Sequence, residues 1–152
     1  MMTEKGERGK IGRTILLIIA MVLSLFLIIS ISSAGITIED GSLKIEFSKS
    51  SKLTILGSEV ISAKVIDWNE EPDYEPVPKN FKPLLRTLGT SISDYKKGDF
   101  ELKNGEKAKL LTLSSKVLVL EVKGLDYLIM LSPDNFDDFI KEVNSKIISV
   151  EY

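Results

Sequence analysis

The chain divides into an unbroken apolar stretch near its start and a longer segment in which apolar and polar residues alternate. No charged residue lies between Thr14 and Ile38, and thirteen of the residues from Ile15 to Ile31 are Leu, Ile, Val or Phe. At the centre of a membrane span each such residue favours insertion by about 0.3–0.6 kcal/mol. A helix of this length crosses the ~30 Å hydrocarbon core of a bilayer. The pattern predicts a polar tail over residues 1–13 and a transmembrane anchor helix over residues 14–34.

The flanking charges predict the orientation of this span, which crosses the membrane through residues 14–33. The tail carries four basic and two acidic residues, whereas Glu39 and Asp40 precede the first lysine on the other side, Lys44. By the positive-inside rule the N-terminus is cytoplasmic and the domain extracytoplasmic, as in a single-pass protein of the cell membrane. Cleavage after the small residues Ser32-Ser33-Ala34 is the alternative, although the apolar run exceeds the usual core of a signal peptide.

From Gly35 onward the pattern predicts short strands. Apolar and polar residues alternate on both sides of Asp40-Gly41, which is typical of a tight hairpin or a bulged strand. Asn104-Gly105 predicts another hairpin, with a type I′ turn. The runs Val117–Val122 and Tyr127–Leu131 are apolar at successive positions, which predicts strands covered on both faces. We therefore expect one mainly β (α+β) domain over residues 35–152.

Two segments depart from the alternation. Residues 69–83 hold four of the five prolines together with several acidic residues. Because proline donates no ladder hydrogen bond, this segment is predicted to be a long surface loop, either a solvated insertion or a peptide ligand. Ser132-Pro133-Asp134 has the composition of a helix start, and apolar residues then recur at helical spacing from Phe136 to Ile147. This pattern predicts a C-terminal helix over about residues 133–147.

Composition argues against most chemistries. The chain has no cysteine and no histidine, which removes thiolate nucleophiles, histidine bases and Cys/His zinc sites. Residues 35–152 carry 16 basic and 20 acidic residues, a net charge of −4, with Arg86 as the one arginine. This balance argues against nucleic acid as a partner. The acidic residues of Asp134–Asp138 do not follow the spacing of a calcium loop. We expect no enzyme activity, no cofactor and no metal.

Five lysines and one tryptophan remain as candidates for contact with a partner or with lipid headgroups. They are Lys44, Lys49, Lys52, Trp68, Lys96 and Lys97. The alternative for the lysines is solvated surface charge, and the alternative for Trp68 is a residue at the edge of the core.

Four segments carry a resemblance to a known family. They are the stretch Gly35–Glu46, the phrase Arg86-Thr87-Leu88-Gly89, the hairpin Gly98–Gly105 and the closing segment Ser132–Ile140. In these segments the chain resembles the bacterial pleckstrin-homology-like (PH-like) domains, which often follow membrane helices. The resemblance implies a partly open barrel of about seven antiparallel strands in two packed sheets, capped by the C-terminal helix. It also implies a non-enzymatic module.

Taken together, these patterns predict a membrane-anchored PH-like module that binds a protein or a second copy of itself at the membrane surface. The alternative is peripheral recognition of anionic lipid headgroups. The lysine pattern that PH-like relatives use for headgroups is incomplete in this chain, because Thr54 stands where an arginine is wanted.

Overall fold

The computed structural model describes Ile18, residues 35–70 and residues 80–152. The chain divides into two units, Met1–Ser33 and Ala34–Tyr152. The predicted tail and anchor lie outside the described residues, Ile18 excepted, and so does most of the predicted loop over residues 69–83. Among the described residues no helix is both long enough and apolar enough to cross a membrane.

The second unit is mainly β, with two sheets and one C-terminal helix, as predicted. The first sheet has the order β1-β2-β3 and the second has the order β4-β8-β9-β7-β6-β5. The strands are β1 Gly35–Glu39, β2 Ser42–Ser48, β3 Ser51–Leu56, β4 Val60–Asp67, β5 Pro83–Ile92, β6 Tyr95–Leu102, β7 Lys107–Thr112, β8 Lys116–Val122 and β9 Leu128–Ser132. The helix, α1, spans Phe136–Lys146. The described strands do not close into a barrel.

Two details of the implied strand arrangement are wrong. The described residues form nine strands rather than about seven, and one of them, Pro83–Ile92, arises from a segment whose first half has no alternation of apolar and polar residues. The strands are also not all antiparallel. Strand β9 inserts between β8 and β7, so that it runs antiparallel to β8 and parallel to β7.

The two predicted hairpins use different turns. Asp40 and Gly41, between β1 and β2, both have positive φ, as a type I′ turn requires. The type I′ turn expected at Asn104-Gly105 is wrong, since only Gly105 of that pair has positive φ. The Gly105 N–H donates to Leu102 O at 2.9 Å, and the Leu102 N–H donates to Glu106 O at 2.9 Å. This pattern is a three-residue loop with a bulge, which accommodates one residue more than a type I′ turn.

The six-stranded sheet is buried on both faces at its central strands, β7, β8 and β9. Its inner face packs against β2, β3 and α1, in a core that includes Leu43, Ile45, Leu118, Leu131 and Val143. Its outer face carries a second cluster, whose buried members are Trp68, Phe100, Leu102, Ala108, Leu110, Val117, Val119 and Met130. Neighbouring residues of β8 therefore point into different cores, which confirms the prediction that this strand is covered on both faces.

The C-terminal helix begins later than predicted. Ser132, the predicted capping residue, is the last residue of β9, and its backbone O accepts a hydrogen bond from Leu113 N–H at 2.8 Å. The helix instead follows Asn135, which adopts the left-handed conformation. The predicted apolar stripe is confirmed, since Ile140 and Val143 are buried and Phe136, Phe139 and Ile147 pack against the same core.

One edge of the six-stranded sheet is covered by the C-terminal tail, and the other has no strand beside it among the described residues. At the β4 edge, the Glu151 N–H donates to Ala63 O at 2.9 Å, and Val65 N–H donates to Glu151 O at 2.8 Å. The C-terminal tail thus covers β4. At the other edge β5 pairs only with β6, and no other described strand borders it.

Candidate functional site

Strand β5 is a long edge strand with apolar side chains in solvent. Nine of its ten residues are exposed. Leu84, Leu85, Leu88 and Ile92 are 62%, 56%, 69% and 68% exposed. Edge strands of monomeric proteins are usually short, charged or covered, because their free N–H and C=O groups pair readily with another chain. The described part of the chain offers no such cover for β5, so this strand is the main candidate binding surface.

The register with β6 divides β5 into an irregular and a regular half. Bulges fall between Pro83 and Leu85 and between Arg86 and Leu88, whereas the pairs from Leu88↔Asp99 to Ile92↔Tyr95 follow without interruption. Opposed residues of an antiparallel pair point to the same face. Leu88, Thr90 and Ile92 therefore share the inner face of the sheet with Asp99, Lys97 and Tyr95.

A groove adjoins this face, where the end of β2 and the start of β3 approach β5 and β6. Its volume is about 460 Å³, and its lining includes Phe47, Leu88, Tyr95 and Lys97. On its floor Lys109 Nζ lies 3.2 Å from Asp99 Oδ1 and 5.2 Å from the centroid of the Phe47 ring. Lys109 is thus held by a carboxylate and an aromatic ring, and the exposed apolar strand forms the rim of the groove.

The predicted lysines of the first sheet are paired with acids. Lys44 forms an ion pair with Glu39, and Lys52 Nζ lies 3.2 Å from Glu46 Oε1. The hydrogen bond from Lys44 to Glu39 is the main reason that the pKa of Lys44 is raised. Lys49 lies in the exposed turn between β2 and β3. Because each strand lysine faces its own carboxylate, this surface carries little net positive charge.

The other predicted residues lie on two different faces. Lys96 and Lys97 are consecutive residues of β6, so they point to opposite faces of the sheet. Lys97 lines the groove beside β5, whereas Lys96 Nζ lies 5.5 Å from the centroid of the Trp68 ring. Trp68 itself is only 3% exposed and belongs to the outer-face core. The six predicted residues therefore do not form one site.

An open cleft lies on the outer face of the six-stranded sheet. Its volume is about 430 Å³, and Lys64, Phe81, Glu121 and Glu151 contribute to its lining. Lys64 Nζ lies 3.6 Å from the centroid of the Phe81 ring. Within residues 35–70 and 80–152, no group of three or more His, Cys, Asp or Glu side chains is arranged to hold a metal ion.

The surface on β5 was missed by the sequence patterns. Apolar and polar residues do not alternate in the segment Leu84–Leu88. The strand that it forms contains bulges, which shift its side chains relative to β6. Its apolar residues therefore gave no sign of which ones would lie in solvent. The available signal was the number of large aliphatic residues in a segment that follows four prolines.

Comparison with known proteins supplies the family. A family model described as "Bacterial PH domain" matches residues 35–147, which is well over half of the chain. Searches of the curated proteins and of the solved structures found no match. PH-like domains are typically non-enzymatic binding modules. The match confirms the resemblance seen in the sequence, and the chain belongs to the bacterial PH domain family.

Proposed function

We propose that this chain is a membrane-anchored, non-enzymatic binding module that binds a protein through the edge strand β5. The observation that carries the proposal is the exposure of Leu84, Leu85, Leu88 and Ile92 on a strand paired on one side only. Addition of a strand to a free sheet edge is a common mode of recognition, in which the backbone supplies affinity and alternate side chains supply specificity.

The energy available at this edge supports a specific interaction. Complete burial of a Leu or Ile side chain is worth about 1.5–3 kcal/mol. At the observed exposures, burial of the four side chains is worth roughly 4–8 kcal/mol before the entropy cost of association. Backbone hydrogen bonds along the regular half of β5 add to this. The total is in the range of a transient or tethered complex rather than an obligate one.

The proposed anchor is the apolar run of residues 14–33, with the N-terminal tail in the cytoplasm and residues 35–152 on the opposite side of the membrane. The uncharged stretch from Thr14 to Ile38 and the excess of basic residues in the tail support this arrangement. Tethering raises the effective concentration of any partner held in the same membrane, which favours weak contacts of this size.

Anionic lipid headgroups are the less supported ligand. Lys44 and Lys52 already face Glu39 and Glu46, and the remaining candidate lysines lie on different faces. A headgroup site needs several unpaired cations that converge on one position.

Site-specific photo-crosslinking tests the proposal in cells that produce the full chain. A photoreactive amino acid replaces Leu88 on β5 or, as a control, Ile61 on β4, which is 58% exposed. We expect a protein adduct from position 88 that is lost when Ile92→Lys is added, and none from position 61. Equal adducts at both positions, or adducts with lipid alone, would contradict binding at β5.

A further inference from the structure

The regular half of β5 is self-complementary. Leu88, Thr90 and Ile92 lie on one face at a spacing of two, with the polar residue in the middle. A two-fold axis through Thr90 places Thr90 opposite Thr90 of a second copy and Leu88 opposite Ile92 of that copy. Threonine pairs and aliphatic pairs are both favourable across antiparallel strands. A symmetric dimer needs one patch that matches itself in this way.

The charges at the ends of the strand fit the same axis. Arg86 is the one charged residue of β5, and Asp94 lies in the turn between β5 and β6. Both are exposed, and within residues 35–70 and 80–152 neither forms an ion pair. The axis through Thr90 brings Arg86 of each copy alongside the turn that carries Asp94 of the other.

Neighbouring registers lose these matches. Beyond the bulge between Arg86 and Leu88, an axis through Leu88 brings Arg86 near Thr90 of the other copy, and an axis through Gly89 brings it near Ile92. In both cases Arg86 lacks an acidic partner, and the second also places Leu88 opposite Thr90. The axis through Thr90 satisfies the apolar and the charged positions together.

The geometry points to a second copy of this chain as the occupant of the β5 edge, paired antiparallel about Thr90. This inference rests on the proposed function and specifies its partner. The two six-stranded sheets join at β5 into one twelve-stranded sheet, and the exposed half of β5 that begins at Leu88 becomes an internal strand pair.

Disulfide cross-linking tests the register, since the chain has no cysteine and each introduced thiol is unique. Opposed residues of an antiparallel pair have Cα atoms about 4.5–5.5 Å apart, within the range of a disulfide. In the full chain, we expect Thr90→Cys to form an oxidised dimer. Thr37→Cys is the control, because Thr37 is exposed on β1, an edge strand of the other sheet.

Mixed oxidation distinguishes this register from a slipped one. Leu88→Cys and Ile92→Cys chains should cross-link when mixed, and each should remain uncross-linked when oxidised alone. Cross-linking of Leu88→Cys with itself, or of Thr90→Cys no faster than Thr37→Cys, would overturn the proposed pairing.

A charge exchange tests the polar contacts. Exposed ion pairs are individually weak, but the dimer contains two of them. We expect Arg86→Asp and Asp94→Arg each to weaken dimerisation of the full chain about tenfold, and the double exchange to restore it. If the losses of dimer affinity from the two substitutions simply added in the double variant, the proposed contact between Arg86 and Asp94 would be refuted.

The experiments distinguish failure of the proposed β5 binding edge from failure of the proposed pairing with a second copy. If position 88 gives adducts with a different protein and Thr90→Cys gives no dimer, the second copy is refuted as the partner and β5 remains a binding edge. If position 88 gives no protein adduct and Thr90→Cys no dimer, both proposals fail.

Discussion

At the scale of single residues, Gly89 and Gly98 fix the approach of β5 to β6. They face each other in the register, with φ of 117° and 124°. A Cβ atom on Gly98 would lie 2.2 Å from Leu88 O, and one on Gly89 would lie 2.0 Å from Lys97 O. Neither position has room for a side chain, so the placement of the β5 edge depends on this pair.

Gly98→Ala should therefore destabilise the domain by about 2–4 kcal/mol, because an unfavourable φ is combined with a steric clash. Gly124→Ala is the matched control: its φ is 85°, and a Cβ atom there meets nothing within 4 Å. The control should cost only about 1 kcal/mol. Urea unfolding followed by the fluorescence of Trp68, the single tryptophan, measures both. If both variants lost the same free energy of unfolding, the backbone around Leu88 O would be shown to move aside for the added Cβ atom at little cost.

Trp68 is buried with an unsatisfied polar atom. Its indole Nε1–H has no hydrogen-bond partner among the described residues, although the side chain is packed in the outer-face core. A buried donor without a partner costs about 1–3 kcal/mol. Among the described residues, Trp68 therefore stabilises the domain through packing and the nearby Lys96, and its N–H subtracts from that contribution.

Trp68→Phe should change the free energy of unfolding by less than about 1 kcal/mol, since the loss of packing is offset by removal of the unsatisfied donor. Trp68→Ala should cost about 3–5 kcal/mol because it leaves a cavity. Circular dichroism in urea follows both variants, which lack the tryptophan signal. A large loss for Trp68→Phe would show that the indole N–H has a partner in solution.

At the scale of elements, the protected edge β4 provides a comparison for β5. The backbone of Glu151 exchanges two hydrogen bonds with β4, through Ala63 O and Val65 N–H. This short contact blocks the edge at which another strand would otherwise add.

Glu151→Pro removes the donor to Ala63 O and should open the β4 edge. We expect faster hydrogen exchange at the Val65 amide and an increased tendency of the purified protein to aggregate. Tyr152→Pro is the control, because Tyr152 is 88% exposed and lies outside the bridge between Lys64 and Glu151. Unchanged exchange at Val65 in Glu151→Pro would mean that the tail does not protect this edge.

Local patterns predicted local elements well. The hairpin at Asp40-Gly41, the double burial of β8 and the apolar stripe of α1 follow from spacing within a few residues. The insertion of β9 between β8 and β7 was not predictable in this way, because the parallel partners Ala108 and Leu128 are distant in sequence. The start of α1 was misplaced because Ser132 completes its hydrogen bonds in the sheet.

The candidate surface was less predictable than the fold. Charge alone makes the lysines candidates in the sequence, but the pairing of Lys44 and Lys52 with Glu39 and Glu46 depends on strand register. The exposure of Leu88 and Ile92 depends on the absence of a neighbouring strand beyond β5 among the described residues. That absence is a property of the sheet order, and no short segment encodes it.

At the scale of the whole molecule, the proposed anchor would strengthen the proposed dimer. Two chains held in one membrane meet at a raised effective concentration, so a small edge contact is sufficient for pairing. In the proposed arrangement, the side of the membrane on which residues 35–152 lie would decide which other proteins compete for the β5 edge.

Protease treatment of intact cells that carry a C-terminal tag on the full chain tests this topology. Because the basic tail favours the cytoplasm, we expect the tag to be lost from the membrane fraction while the N-terminal tail remains membrane-bound. A tagged cytoplasmic protein that stays intact serves as the control for cell integrity. If the tag is protected until the cells are lysed, the orientation is reversed, and the β5 edge faces the cytoplasm. Release of the tagged domain without protease would instead indicate cleavage near Ala34, and dimerisation would then proceed without the help of a common membrane.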